Sequence, residues 1–116
     1  LGASSQCEIR RGKLSDAPAL CEVFRHAWTQ AYVGIIPHLH LESMIRRRGS
    51  DWWKTTIKSG NGLLVLEVAD NVAGYATSGA ARMRGDHEGE IYELYVAPDH
   101  QGLGFGERLF EACPHH

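Results

Sequence analysis

The feature that most constrains the fold of this chain is a glycine-rich turn between a strand-like segment and a helix-like segment. The turn reads Gln101-Gly102-Leu103-Gly104-Phe105-Gly106, and it follows an apolar segment from Glu90 to Val96 that Pro98 terminates. Glycine adopts backbone angles that other residues avoid, and it lets a ligand approach the main chain closely. The first amides of a helix lack intrahelical partners and carry partial positive charge. The turn is therefore predicted to bind a pyrophosphate through its backbone.

Two other phosphate-binding patterns do not fit this segment. A P-loop would need Gly-Lys followed by Ser or Thr, and the turn contains no lysine. The dinucleotide fingerprint would need a third glycine where Glu107 stands, and a second βαβ unit downstream. A nucleotide-binding protein with either of these two motifs is therefore disfavoured.

Length and composition favour one small globular domain. The chain has 116 residues, of which 43% are hydrophobic, and a formal net charge of −2, which argues against non-specific binding to nucleic acid. Cys7, Cys21 and Cys113 lack metal-ligand spacing and cannot all pair with one another, so a reducing, cytoplasmic setting is predicted. The apolar stretch from Leu63 to Val68 is too short to cross a bilayer, so no membrane partner is expected.

The domain is assigned to residues 7–113. Residues 1–6 and 114–116 are interpreted as remnants of a tag or as ends at which a longer chain was cut. A short alternation from Glu8 to Arg11 predicts the first strand. A final helix is predicted to begin within the glycine run, with Leu109 and Phe110 on its apolar face.

The first half of the domain has helical periodicity. Apolar residues from Leu20 to Ala31 recur at i, i+3 and i+4, which predicts an amphipathic helix with Ser15 as its N-cap. Two shorter helices are predicted, one from Leu41 to Ile45 and one that begins at Ser50 and carries Trp53.

The second half has strand-like segments. Leu63 to Val68 and Val72 to Ala80 predict a β-hairpin that turns at Asp70-Asn71. Glycine weakens the interior of a strand, so Gly74 and Gly79 are predicted to mark a bulge or a close approach of backbones.

The order and spacing of these segments resemble the GNAT superfamily of N-acetyltransferases. Its cofactor motif is Arg or Gln, two residues, Gly, one residue, and Gly or Ala, which Gln101, Gly104 and Gly106 match. The segment from Ile91 to Pro98 precedes the motif at the spacing of the superfamily's fourth strand. The resemblance also covers Trp28, Tyr32, Gly34, Pro37 and Val72-Ala73-Gly74-Tyr75. It implies an α/β (α+β), GNAT-like acyl-CoA N-acyltransferase fold, with a mixed, largely antiparallel sheet flanked by helices.

The resemblance implies that the cosubstrate is acetyl-CoA and that no metal is needed. In that superfamily the pantetheine lies along the fourth strand and the pyrophosphate on the following turn. The cofactor contacts implied for this chain are Leu94, Tyr95, Val96, Gln101, Gly102, Leu103, Gly104, Phe105 and Gly106. The primary amine of a small molecule or protein would then attack the thioester directly, with a backbone amide donating to the developing oxyanion.

A carboxylate on the fourth strand often accepts the proton of the attacking amine in this superfamily. The resemblance makes Glu93 and Glu90 the candidates. They lie three apart on a strand, so they face opposite sides of the sheet and only one can face a given cleft. Glu93 is favoured because it lies closer to the segment that would hold the thioester. The alternative role of Glu93 is that of a partly solvated glutamate in a salt bridge.

Three further groups of residues each have two interpretations. Trp28 and Tyr32 either shape the acceptor pocket or pack in the core. His38 and His40 are interpreted as surface histidines rather than metal ligands, because no Cys or Glu stands at ligand spacing. The charge run Arg46-Arg47-Arg48 is typical of a solvated face, although it would also attract an acidic cofactor or partner.

A complete GNAT domain continues with a fifth strand, another helix and usually a final hairpin. The resemblance therefore implies that this chain is truncated after the third main helix and lacks the tyrosine that often protonates the departing thiolate. An uncovered fourth strand predicts a homodimer formed by strand addition at the sheet edge. The alternative to an enzyme is a non-catalytic CoA-binding or scaffolding fragment of a GNAT-like protein.

Overall fold

The structure, a computed structural model, describes residues 7–59, 62–78 and 91–113. This part of the chain forms a sheet with helices on both faces. The strands are β1 (Cys7–Arg11), β2 (Leu64–Val68), β3 (Asn71–Ser78) and β4 (Ile91–Val96). The helices are α1 (Ala17–Tyr32), α2 (His38–Arg47), α3 (Ser50–Ser59) and α4 (Phe105–Ala112), and short 3-10 turns lie at Leu14–Asp16 and Pro98–His100.

The four strands are ordered β1-β2-β3-β4, and each neighbouring pair is antiparallel. The largely antiparallel sheet expected from the sequence is thus confirmed. The hairpin between β2 and β3 turns one residue earlier than predicted, at Ala69 and Asp70, which have φ values of 51° and 67°. Pairing of Val68 with Asn71 leaves only two residues for the turn, and positive φ at both is typical of a type I′ hairpin.

The predicted N-cap of the first helix is wrong by one residue. The chain makes a 3-10 turn first, and Asp16 rather than Ser15 is the N-cap of α1. The Asp16 carboxylate accepts hydrogen bonds from the Lys13 amide at 2.8 Å and from the Arg10 guanidinium at 2.8 and 2.9 Å. These bonds tie the start of α1 to β1, although the Asp16 side chain makes no capping hydrogen bond to the helix itself.

Two apolar clusters hold the layers together. On one face of the sheet, α1 and α3 pack on the central strands through large side chains, including Phe24, Trp53, Val65 and Tyr75. On the other face, α4 packs through Leu109 and Cys113 against smaller side chains of the sheet, including Ala73, Ala76 and Val96. Phe110 was predicted on the apolar face of this helix, but its side chain is 49% exposed because Leu109 and Cys113 already fill the contact with the sheet.

Gly74 lies where the backbones of β3 and β4 come closest. A Cβ at this position would collide with the carbonyl oxygen of Tyr95, and a β-bulge interrupts the pairing between β2 and β3 beside it. The predicted close approach of backbones is confirmed at Gly74, and the second glycine of that prediction, Gly79, lies outside the described residues.

Candidate functional site

The glycine turn follows β4 and leads directly into α4. Gly102 and Gly104 have φ values of 82° and 84°, in the left-handed region, and Gly104 is the N-cap of α4. Most residues avoid this region, so the two glycines are what allow the chain to turn here. A Cβ placed on either glycine would meet no protein atom within 4 Å, so the surface above the turn is open.

The start of α4 presents backbone amides at this open surface. The amide of Arg108 donates to the carbonyl of Gly104 at 3.1 Å, which is the first bond of the helix. The amides of Phe105, Gly106 and Glu107 precede this bond, so they have no partner within the helix. Together with the helix dipole, these donors suit an anionic group of the size of a pyrophosphate. The residues present therefore fit the phosphate end of acetyl-CoA.

The Gln101 side chain ties the turn back to the sheet. Its Nε2 donates a hydrogen bond to the carbonyl oxygen of Val96 at 2.6 Å, and its amide donates to the Pro98 carbonyl at 3.3 Å. A side chain that spans the turn in this way fixes the position of the glycines relative to β4. Gln101 thus has a clear structural role, and its direct contact with the cofactor stays a prediction.

The outer edge of β4 presents backbone groups of alternate residues. The amide of Ala97 donates to the carbonyl of Ala73 at 2.7 Å, which makes these two residues a hydrogen-bonded pair. Such pairs alternate along antiparallel strands, so Tyr95 and Glu93 direct their backbone groups toward β3. Leu94 and Val96 therefore direct theirs away from β3. This is the backbone geometry that the sequence prediction requires of them, whereas a cofactor contact by Tyr95 would need its side chain.

A groove of about 430 Å³ lies beside this edge of β4. It is lined by Ala27, Trp28, Ala31, Tyr32, Tyr75, Glu93, Leu94 and Tyr95. The rings of Trp28 and Tyr32 lie 5.0 Å apart and form its helical wall. Trp28 also packs against the core, and its role in an acceptor pocket stays a prediction. The groove brings the predicted acceptor residues next to Glu93.

Glu93 is held by an arginine that the sequence interpretation placed elsewhere. Arg48 donates from Nη1 to Glu93 Oε2 at 2.7 Å and from Nη2 to Glu93 Oε1 at 3.0 Å. The predicted solvated face is wrong for Arg48, because its side chain is only 17% exposed. The reason is an aromatic enclosure: the guanidinium carbon lies 4.1 Å from the ring centre of Phe24, 3.8 Å from that of Trp52 and 4.9 Å from that of Trp53.

Two tyrosines accompany Glu93 on this face of the sheet. The Tyr75 hydroxyl donates to Glu93 Oε1 at 3.3 Å, and burial, with the nearby charge of Glu93, raises the pKa of Tyr75 far above its ordinary value. Tyr75 therefore remains a hydrogen-bond donor at any physiological pH. The Tyr95 hydroxyl is buried, has no partner among the described residues, and has its pKa raised by that burial.

Arg48 is the residue of this site that sequence reasoning missed. It stands just before Trp52 and Trp53 in the sequence, and an arginine close to two tryptophans is a signal for cation–π packing. The second candidate base, Glu90, lies outside the described residues.

A larger groove, of about 550 Å³, lies between α1 and α2. Its lining includes Cys21, Thr29 and Ile45, but no residue of β4 or of the glycine turn. Its size alone does not connect it with the chemistry expected at β4.

Within residues 7–59, 62–78 and 91–113, no cluster of His, Cys, Asp or Glu could hold a metal ion. None of the helices in the described part of the chain combines the length and the apolar character needed to cross a bilayer.

The chain belongs to the GNAT acetyltransferase family, because residues 19–116 match the model of the "Acetyltransferase (GNAT) family". The uncharacterized N-acetyltransferase YuaI of Bacillus subtilis is 30% identical over 103 residues, which are 87% of this chain and 58% of that protein. The L-amino acid N-acyltransferase MnaT of Escherichia coli is 31% identical over 102 residues, 87% of this chain and 57% of that protein. The chain thus spans less than two thirds of the length of these relatives.

Solved structures of acetyltransferases have the same fold. The PaiA N-acetyltransferase of Thermoplasma acidophilum, solved in complex with coenzyme A, superposes with a TM-score of 0.71 at 23% identity, over 90% of this chain and 67% of that one. YncA of Salmonella typhimurium, a putative acetyltransferase solved with acetyl-CoA, has a TM-score of 0.61 at 26% identity, over 90% of this chain and 59% of that one. The GNAT-like fold expected from the sequence is therefore confirmed.

Proposed function

We propose that this chain carries the cosubstrate site of an N-acetyltransferase that moves an acetyl group from acetyl-CoA to a primary amine of a small molecule or protein. The observation that carries the proposal is the continuous path from the outer edge of β4 to the glycine turn and the start of α4. Left-handed Gly102 and Gly104 place open backbone amides at one end of this path. The outward backbone groups of Leu94 and Val96 lie at the other end.

Each part of the path has a chemical role in the proposal. The turn holds the pyrophosphate with neutral donors, so tight binding needs no lysine. The thioester supplies the activated acetyl group when acetyl-CoA is bound. The amides of Leu94 and Val96 are the donors available to orient it and to stabilise negative charge on its oxygen. The groove walled by Trp28 and Tyr32 holds the amine beside Glu93, which accepts its proton directly or through a water molecule.

A CoA-binding protein without catalytic activity is the second candidate. The observation that favours it is that both oxygens of Glu93 are already bonded to Arg48. In that case Glu93 serves structure alone. Replacing Glu93 with Gln separates the candidates, because it lowers kcat of an enzyme but leaves acetyl-CoA affinity unchanged in either candidate.

The proposal is tested by calorimetric titration with acetyl-CoA of the protein at its full natural length and of its Gly104→Glu variant. The added side chain stands in the open space above the turn and brings negative charge to the pyrophosphate site, so we expect affinity to fall at least tenfold. Gly34→Glu is a matched control, since Gly34 has the same left-handed φ, 82°, and the same open surroundings.

Loss of affinity in the Gly104 variant alone would support the turn as the cosubstrate site. Equal affinities in all three proteins would show that the pyrophosphate binds elsewhere and would remove the observation on which the proposal rests. ATP and NAD serve as competitors, because displacement of acetyl-CoA by either would point to another ligand class.

Two further parts of the proposal concern the setting of the protein. The thiols of Cys7, Cys21 and Cys113 are free in the structure, which supports the proposed reducing, cytoplasmic location. Strand addition at the outer edge of β4 would join two copies as a homodimer, and it would compete with acetyl-CoA for the outward backbone groups of Leu94 and Val96. Light scattering across a hundredfold range of concentration tests this assembly, and a monomer at every concentration would rule it out.

A further inference from the structure

We infer that Arg48 is a positioning residue, which holds the carboxylate of Glu93 in one orientation at the rim of the acceptor groove. The inference rests on the proposed function, because it concerns how Glu93 meets the amine. Arg48 lies at the C-terminal end of α2, just before α3, whereas Glu93 belongs to β4. The pair thus connects two elements that lie 45 residues apart in the chain.

The two-pronged contact removes the rotational freedom of the carboxylate. Both Glu93 oxygens accept from the two terminal nitrogens of Arg48, and Oε1 also accepts from the Tyr75 hydroxyl. A side chain held at both oxygens cannot turn about its last bond without losing a charge-assisted hydrogen bond. The side chain of Glu93 is still 30% exposed, so it remains accessible from the groove.

The arginine itself is fixed by aromatic rings. The ring centres of Phe24 and Trp52 lie within 4.1 Å of the guanidinium carbon, and the ring centre of Trp53 lies within 4.9 Å. A planar guanidinium can stack on such rings while its edge donates two parallel hydrogen bonds, which a lysine ammonium cannot do. The enclosure therefore selects arginine for geometry as well as for charge.

The consequence concerns catalysis rather than stability alone. An amine that enters the groove meets a carboxylate whose position is set before binding, so no reorganisation is needed when the proton is transferred. Arg48 and Tyr75 donate to the two oxygens, so the amine or a bridging water would reach the exposed part of the carboxylate from the groove that Trp28 and Tyr32 also line.

The test is a double-mutant cycle of Arg48→Lys and Glu93→Gln, with kcat and the KM values of acetyl-CoA and of an amine acceptor measured in the full-length protein. Arg48→Lys keeps the charge but loses the two-pronged contact, so we expect kcat to fall at least tenfold and KM for acetyl-CoA to change less than threefold. In the Glu93→Gln background the same replacement should change kcat less than twofold, because Arg48 acts through Glu93. Arg47→Lys, on the exposed end of α2, is the matched control.

A merely structural role of Arg48 would give a different pattern. Arg48→Lys would then lower the midpoint of thermal unfolding, and its effect on kcat would be the same whether residue 93 is Glu or Gln. That additive result, or an unchanged kcat in Arg48→Lys, would overturn the inference while leaving the proposed function intact.

A second measurement does not depend on turnover. Nuclear magnetic resonance of ¹⁵N-arginine-labelled protein reports whether the guanidinium of Arg48 rotates freely. We expect separate, slowly exchanging signals for its terminal nitrogens in the wild-type protein and merged signals in Glu93→Gln. Free rotation in the wild type would overturn the inference. Absence of acetyl transfer by the wild type, with acetyl-CoA bound and Arg48 held, would instead reject the catalytic proposal.

Discussion

The glycine turn follows the C-terminal end of β4, and the groove that Trp28 and Tyr32 line lies beside the same strand, but the two are built in different ways. The turn is made from backbone groups of one continuous segment, Gln101 to Gly106, and a Cβ on Gly102 or Gly104 would meet no other protein atom within 4 Å. The groove is lined by residues of α1, β3 and β4, and its Glu93 is held by Arg48 from the α2–α3 junction. The first depends on local conformation, and the second depends on packing between elements that are distant in sequence.

This difference predicts which replacements the glycine turn and the groove should each tolerate. A backbone site keeps its donors when neighbouring side chains are replaced, provided that φ values are preserved. A side-chain site loses its geometry when any supporting element moves, because its residues are held only by contacts with other elements. Three replacements test this difference between the two sites.

The largest effect is expected for Trp53→Ala. Trp53 is fully buried, and its ring lies 6.1 Å from that of Phe24 and 5.1 Å from that of Tyr75. Its removal leaves a cavity and should lower the free energy of unfolding by about 4 kcal/mol. Urea unfolding measures this loss, and Ile35→Ala, at a side chain 74% exposed, serves as the control.

The same Trp53 variant tests whether the glycine turn is independent of the packing that forms the groove. Where the variant is still folded, we expect it to bind acetyl-CoA within about threefold of the wild type, since the turn does not rest on α3. A loss of affinity above tenfold in the folded variant would break the distinction between the two sites.

A smaller loss of stability is expected for Leu109→Ala, with the opposite functional result. Leu109 is fully buried where α4 meets the sheet, so its truncation should cost about 3 kcal/mol of unfolding free energy. Because α4 carries the amides of the turn, acetyl-CoA affinity should fall in this variant. Urea unfolding and calorimetry measure both effects, and Glu111→Ala, on the exposed side of α4, should change neither.

The smallest effect on stability is expected for Gly102→Ala. A left-handed φ of 82° costs an alanine about 1 kcal/mol, and Gly34→Ala should cost the same because its φ is also 82°. Thermal unfolding compares the two variants. Only Gly102→Ala should also weaken acetyl-CoA binding, and equal affinities would show that the turn tolerates a side chain in the bound state.

The sequence predictions were accurate where the structure depends on neighbouring residues, and less accurate where it depends on contacts between distant elements. Periodicity located the helices around Leu20 to Ala31 and around Trp53, and the alternating pattern located the hairpin of β2 and β3. The exact starts were less accurate. α1 begins after Asp16, whose carboxylate pairs with Arg10 on a separate strand, and the hairpin turns at Ala69-Asp70 because pairing of the flanking strands leaves two residues. Local propensity contains neither constraint.

The sequence alone indicated the family, the order of strand, turn and helix at the proposed cosubstrate site, and the need for glycine at Gly102 and Gly104. These features are readable because their physical causes lie within a few neighbouring residues. The position of Arg48 became clear only from the tertiary structure, in which its guanidinium lies among aromatic rings and binds Glu93, apart from the solvated Arg46 and Arg47. That position depends on the sheet bringing β4 beneath the helical layer, where a buried cation is stabilised by a carboxylate and by ring faces together.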